Sequence, residues 1–137
     1  MNLTLKNIVE FAILEFPEYV ENYKNDPEGA YSIIFSEDEE PLVYPFFEHI
    51  IRGQFLKLVE EYLDTGSNST FVELEKMANF FEKLATSENF GVENVIRIGI
   101  LEGITIDKDE FELIKSLLGS KSKELLDSTA DYWTFPS

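Results

Sequence analysis

The sequence predicts an all-α fold, a compact bundle of six or seven antiparallel helices. Apolar residues recur at spacings of three and four along at least five segments, which is the period of an amphipathic helix. The short β-branched run at residues 30–35 has no second strand-like run to pair with, so it predicts a buried turn or a short helix. Short polar loops between the segments favour helix hairpins stacked side by side, although no strict sequence repeat is present.

The first helix is predicted to end before Pro17, which starts a second short helix over residues 17–25. The longest helix is expected over residues 41–64, with a wide apolar stripe and with Gly53 at a close helix crossing. A polar loop of residues 66–69 is predicted to follow it. The apolar face of the first helix comprises Leu5, Ile8, Val9, Ala12, Ile13 and Phe16.

Four further helices are predicted in the second half of the chain. Ser69 or Thr70 caps the first, with Glu73 placed for a capping box. Residues 92–104 are apolar almost all round, which is typical of a central helix covered on several sides. Asp107 or Asp109 caps the next helix, Gly119 stops it, and a short helix over residues 120–126 follows.

The 137 residues predict a single domain over residues 1–137. Residues 128–137 concentrate Tyr132, Trp133 and Phe135 beyond the last periodic segment. This aromatic tail either folds back on the core or forms an exposed anchor.

The net charge of −16, from 27 acids and 11 bases, excludes several classes of partner. Nucleic acids and anionic membranes would be repelled by most of the surface, so we predict no direct nucleic-acid and no membrane partner. Acids interrupt the apolar residues of the first 15 positions, unlike a secretory leader, and no apolar run approaches the length of a membrane span. We therefore expect a cytoplasmic protein.

The residues needed for catalysis or metal binding are sparse, and we predict a non-enzyme with no catalytic residues, no metal site and no cofactor. The chain has no Cys and a single His, and no second histidine or nucleophile accompanies His49. The run that starts at Asp107 resembles a calcium loop, but Glu112 stands where the sixth-position glycine is needed. No glycine-rich phosphate loop or serine elbow is present.

Acidic residues are concentrated in the first third of the chain. Residues 7–51 contain eleven acids and one base, Lys24, which gives this segment a net charge of −10. Within it, Glu37, Asp38, Glu39 and Glu40 are consecutive on a predicted loop. Such a loop either steers a basic protein partner and contacts it or is simply a solvated surface.

Three stretches carry a family resemblance: Phe16-Pro-Glu-Tyr, Pro45-Phe-Phe-Glu-His-Ile-Ile-Arg and Asn94-Val-Ile-Arg-Ile-Gly-Ile-Leu-Glu. Over about residues 8–120 the chain resembles a family of small, acidic, all-helical bacterial proteins of poorly defined function, whose members look like immunity proteins of secreted-toxin systems. The resemblance implies a HEAT-like helical fold and gives no enzymatic residues to transfer.

Two functional hypotheses follow. In the first, the protein is an immunity protein that binds a cognate bacterial toxin domain, which we expect to be basic, and occludes its active site or substrate path. Aromatic hot spots among the acids would be Tyr31, Tyr44 and Trp133. In the second, the protein is a generic helical adaptor that binds a peptide or folded partner without neutralising a toxin.

Overall fold

The computed structural model describes residues 3–23, 34–35, 41–101 and 107–129. Within these ranges the chain forms seven continuous helices and no strand, which confirms the all-α prediction. The HEAT-like arrangement stays a prediction. The helical elements are α1 (Ile8–Glu15), α2 (Pro17–Tyr23), α3 (Val43–Pro45), π1 (Phe46–Ile51), α4 (Arg52–Thr65), α5 (Asn68–Ala85), α6 (Phe90–Asn94), π2 (Val95–Leu101), α7 (Lys108–Leu117) and α8 (Ser120–Ser128).

Two of the helices contain a segment of π-helix. The helix predicted over residues 41–64 runs continuously over residues 43–65, but its π1 segment has hydrogen bonds that span five residues. This winding brings residues five apart, such as Phe46 and Ile51, onto one face, and both side chains are fully buried. Segment π2 packs against π1, and an added Cβ on Gly99 would lie 3.4 Å from Phe47 Cβ. The absence of a side chain at Gly99 thus allows the two segments to approach closely.

Helix α5 is the centre of the packing. It contacts α4, α6, α7, α8 and π2. Its inward side chains include Leu74, Met77, Phe81 and Leu84, none of which has any exposed surface. The core beside α5 is aromatic. Phe55 packs edge to face against Phe81 of this helix, with 5.0 Å between the ring centroids.

The observed helix ends agree in part with those predicted from the sequence. Asp107, one of the two predicted caps, is the N-cap of α7, and it forms a capping box with Glu110. Gly66 ends α4 in the left-handed conformation, at φ 65°.

The predicted cap of α5 is wrong, because Ser67 rather than Ser69 or Thr70 caps that helix. Glu73 is not part of a capping box, because Thr70 is the third residue of a helix capped by Ser67. The Glu73 carboxylate instead accepts a hydrogen bond from the Tyr19 hydroxyl.

The prediction for Gly119 is also corrected. Helix α7 ends at Leu117, and Gly119 is the N-cap of α8. A Cβ at Gly119 would lie 2.6 Å from Glu82 Cδ, so the glycine allows the Glu82 side chain to approach the start of α8.

Candidate partner-binding surface

Tyr44 is the one predicted binding residue that lies in the described part of the chain. It belongs to α3, is partly buried and packs against the core. Its hydroxyl oxygen accepts a hydrogen bond of 3.1 Å from Asn94 Nδ2. The ring is therefore held in place while part of it remains accessible. The other predicted residues lie outside the described ranges: Tyr31, Glu37, Asp38, Glu39, Glu40 and Trp133.

Asn94 connects Tyr44 to Arg97, a cation that the sequence alone did not indicate as a binding residue. Arg97 Nη2 donates a hydrogen bond of 2.6 Å to Asn94 Oδ1, and both side chains are partly buried. A polar chain thus runs from Arg97 on π2 through Asn94 to Tyr44 on α3. The spacing of three between Asn94 and Arg97 was a signal for this contact, because residues three apart on a helix are neighbours.

A second feature is a groove between α4 and α7, which the sequence did not predict. Its volume is about 750 Å³, and we call it the α4–α7 groove. Four of its lining side chains are carboxylic acids, one is a lysine, and two leucines and a glycine supply apolar surface. The lining residues are Gly53, Leu56, Lys57, Glu60, Leu63, Asp64, Asp107 and Glu110.

One carboxylate of this groove, that of Glu110, has a shifted pKa. Burial raises the pKa of Glu110, the Asp107 backbone N–H that donates to its carboxylate lowers it, and the negative charges of Asp107 and Glu60 raise it again. The net result is a pKa above the ordinary value for glutamate. Glu60 lies on α4 and Glu110 on α7, so the repulsion acts between the two sides of the groove.

Another groove, beside the N-terminal segment, has a mixed lining. It has a volume of about 770 Å³ and contains both Lys83 and Glu88. The Lys83 ammonium also lies 5.7 Å from the centre of the Phe11 ring, in cation–π geometry. Because charges of both signs line it, this groove has no clear preference for a charged partner.

His49 lies on π1 with an exposed side chain. Among the described residues, no group of three or more His, Asp and Glu side chains is arranged to hold a metal ion. No helix in the same ranges is long and apolar enough to cross a membrane.

These features define a class: a small all-α domain with an acid-lined groove and a fixed, partly accessible tyrosine on its surface. The chain belongs to the family described as a domain of unknown function, DUF7674, which it matches over residues 9–134. No curated protein and no solved structure matches the chain. A function therefore has to be argued from the surface of the molecule.

Proposed function

We propose that this protein is an immunity protein, which binds a cognate bacterial toxin domain and neutralises it by covering its active site or substrate path. The observation that carries the proposal is the excess of carboxylates, a net charge of −16 on 137 residues. None of the described Asp and Glu side chains is fully buried, so these charges are available at the surface. The segment over residues 7–51 has a net charge of −10.

Electrostatics supplies the mechanism. A toxin domain that cleaves RNA or DNA attracts phosphates through a basic cleft, and carboxylates of an inhibitor compete for the same cations. Complementary charge also accelerates association, which matters for an inhibitor that must act before its own cell is damaged. The acids Glu37, Asp38, Glu39 and Glu40 supply the densest run of such charge in the chain.

Tyr44 is suited to be an anchor in this interface. It follows the acidic run by four residues, and its hydroxyl is fixed by Asn94. An aromatic side chain that is already ordered loses little conformational entropy on binding. Hot spots at interfaces are enriched in tyrosine and tryptophan, and Tyr31 and Trp133 remain predictions on the same ground.

The test has two steps. Pull-down from the source cells followed by mass spectrometry identifies the partner, and co-expression then measures whether the chain restores growth of cells that produce that partner. Restored growth supports the immunity proposal. A partner that binds the chain but harms no cell supports the adaptor alternative, as does the absence of a toxin gene beside this one.

The acidic run is tested by a variant with Glu37→Gln, Asp38→Asn, Glu39→Gln and Glu40→Gln. A matched control removes four exposed acids elsewhere, with Glu10→Gln, Glu18→Gln, Glu75→Gln and Glu112→Gln. We expect association with the partner to slow about tenfold at low salt in the first variant, and about twofold in the control. The difference should shrink at physiological salt, where charges more than about 8 Å apart are screened. Equal association rates for the two variants would contradict steering by this run.

A further inference from the structure

We propose that the α4–α7 groove is a docking site for a basic amphipathic helix of a protein partner. This inference goes beyond the immunity proposal, because it concerns different residues and holds whether or not the partner is a toxin. It rests on three properties of the groove: its dimensions, its apolar floor and the sign of its charge.

The dimensions fit a helix. The lining residues of α4 extend from Gly53 to Asp64, which at 1.5 Å per residue corresponds to a length of about 16 Å, or three helical turns. A channel between two packed helices accepts the side-chain ridge of a third.

Leu56 and Leu63 supply accessible apolar surface in the lining of the groove, and we call this apolar part its floor. Leu63 retains 45% of its surface exposed, and Leu56 packs only partly against the core. Full burial of an exposed leucine is worth roughly 1.5–3 kcal/mol, so covering the part of Leu63 that is still exposed contributes roughly half of that to association. A carboxylate cluster that bound only counterions would gain nothing from these leucines, whereas the apolar face of a helix would cover them.

The negative charge of the groove favours a basic partner. Among the described residues, four acids line the groove (Glu60, Asp64, Asp107 and Glu110) and one base, Lys57. Burial raises the pKa of Glu110, and repulsion by the charges of Asp107 and Glu60 adds to the rise. Lysine or arginine residues beside the apolar face of a partner helix would relieve that repulsion. A second copy of this chain would instead bring another charge of −16, and a nucleic acid or anionic membrane would add phosphates, so these occupants are disfavoured.

The experiment uses the full chain, labelled with ¹⁵N, and a synthetic amphipathic peptide of leucines and lysines, about four helical turns long. We expect the peptide to change the amide chemical shifts of the protein mainly at residues 53–64 and 107–110. A second peptide of equal charge, with glutamine in place of every leucine, should bind at least about tenfold more weakly if the apolar floor contributes. Equal affinity for the two peptides, or shift changes concentrated elsewhere, would overturn the proposal.

Variants of the protein test the location of the peptide-binding site independently of the chemical shifts. Glu60→Lys with Asp64→Lys should weaken binding of the leucine and lysine peptide by at least about tenfold. The matched control, Glu10→Lys with Glu18→Lys, makes the same change in net charge on α1 and α2 and should weaken it by less than about threefold. Leu63→Gln tests the floor without changing charge, and should also weaken binding in a chain that keeps its helical spectrum. If the groove variants behave like the control, the groove is not the site.

Discussion

Glu82, where α5 meets α8, and Glu110, at the edge of the α4–α7 groove, are both partly buried glutamates beside the start of a helix. Glu82 accepts hydrogen bonds from the Lys121 N–H (3.0 Å), the Ser122 N–H (2.8 Å) and the Ser122 hydroxyl (2.9 Å). Burial raises the pKa of Glu82, but these hydrogen bonds and the Lys121 charge outweigh it, so the pKa lies below its ordinary value. The pKa of Glu110 is shifted the other way, chiefly by burial and by Asp107 and Glu60.

The difference separates two uses of a carboxylate in a strongly acidic protein. At the α5–α8 contact the charge meets donors of a helix N-terminus and stabilises the fold. In the groove, burial and the charges of Asp107 and Glu60 disfavour the ionised form of Glu110, and a cationic partner could relieve this cost. Glu82 should therefore be costly to remove, whereas removing the charge of Glu60, Asp64 or Glu110 should be nearly neutral for stability and should weaken binding. Asp107 is the exception among the groove acids, because it caps α7.

The largest expected effect is that of Glu82→Ala. It leaves two backbone N–H groups of α8 and the Ser122 hydroxyl without their acceptor, and Ser122 is fully buried. We expect a loss of about 2–4 kcal/mol in the free energy of unfolding, measured by urea denaturation. Glu75→Ala, at an exposed position of the same helix, is the control and should cost less than about 0.5 kcal/mol. Similar losses for the two variants would show that the hydrogen bonds to α8 contribute little.

Gly119→Ala should follow in size. The added Cβ would lie 2.6 Å from Glu82 Cδ, and Glu82 cannot move away without losing its hydrogen bonds to α8. We expect a destabilisation of about 1–3 kcal/mol. In a Glu82→Ala background the clash is absent, so the same glycine substitution should cost much less. An undiminished cost in that background would place the strain somewhere other than at Glu82.

The pH dependence of stability should distinguish the two glutamates by sign. The pKa of Glu82 is lower in the folded state, so its stabilising contribution is present above the unfolded value of about 4.3 and is lost as pH falls through the folded pKa. The pKa of Glu110 is raised on folding, so its ionised form opposes folding above the folded pKa, and this cost disappears as pH falls toward the unfolded value.

The measurement compares Glu82→Gln and Glu110→Gln with the parent by urea denaturation from about pH 7 to about pH 3. At pH 7, Glu82→Gln should be less stable than the parent, and Glu110→Gln should be equal or more stable by less than about 1 kcal/mol. Glutamine keeps the capping box at the start of α7, so Glu110→Gln isolates the charge. Both differences in the free energy of unfolding should become smaller as the pH falls toward about 3. Differences of the same sign would contradict the comparison.

The sequence predicted the existence of the helices better than their contacts. Apolar spacing and Asp107 identified α7 and its cap, since both signals are local. Local signals could not distinguish an α-helix from the π winding of residues 46–51, because the same run of apolar residues suits both. At the start of α5, the hydroxyls of Ser67, Ser69 and Thr70 can each cap a helix, so the local sequence did not decide among them. The N-cap in the structure is Ser67.

The contacts that shape the surface connect residues distant in sequence. Glu82 and Ser122 are 40 residues apart, and the two sides of the groove come from α4 and α7. Spacing within one helix cannot reveal either. Of the candidate binding residues, Tyr44 could be recognised as an aromatic close to the acidic run, but its hydrogen bond to Asn94 depends on how α3 packs beside π2.

The smallest expected effect is at His49, which lies in neither region. Its side chain is exposed on π1, so His49→Gln removes no packing, and the free energy of unfolding should change by less than about 0.5 kcal/mol. A single histidine without a neighbouring nucleophile is a poor basis for catalysis, so neutralisation of a toxin should also be unchanged. The measurements are urea denaturation and the growth assay with the identified partner. A folded His49→Gln protein that lost a reproducible turnover would contradict the non-enzyme interpretation, because it would make this imidazole part of a reaction that a binding protein does not perform.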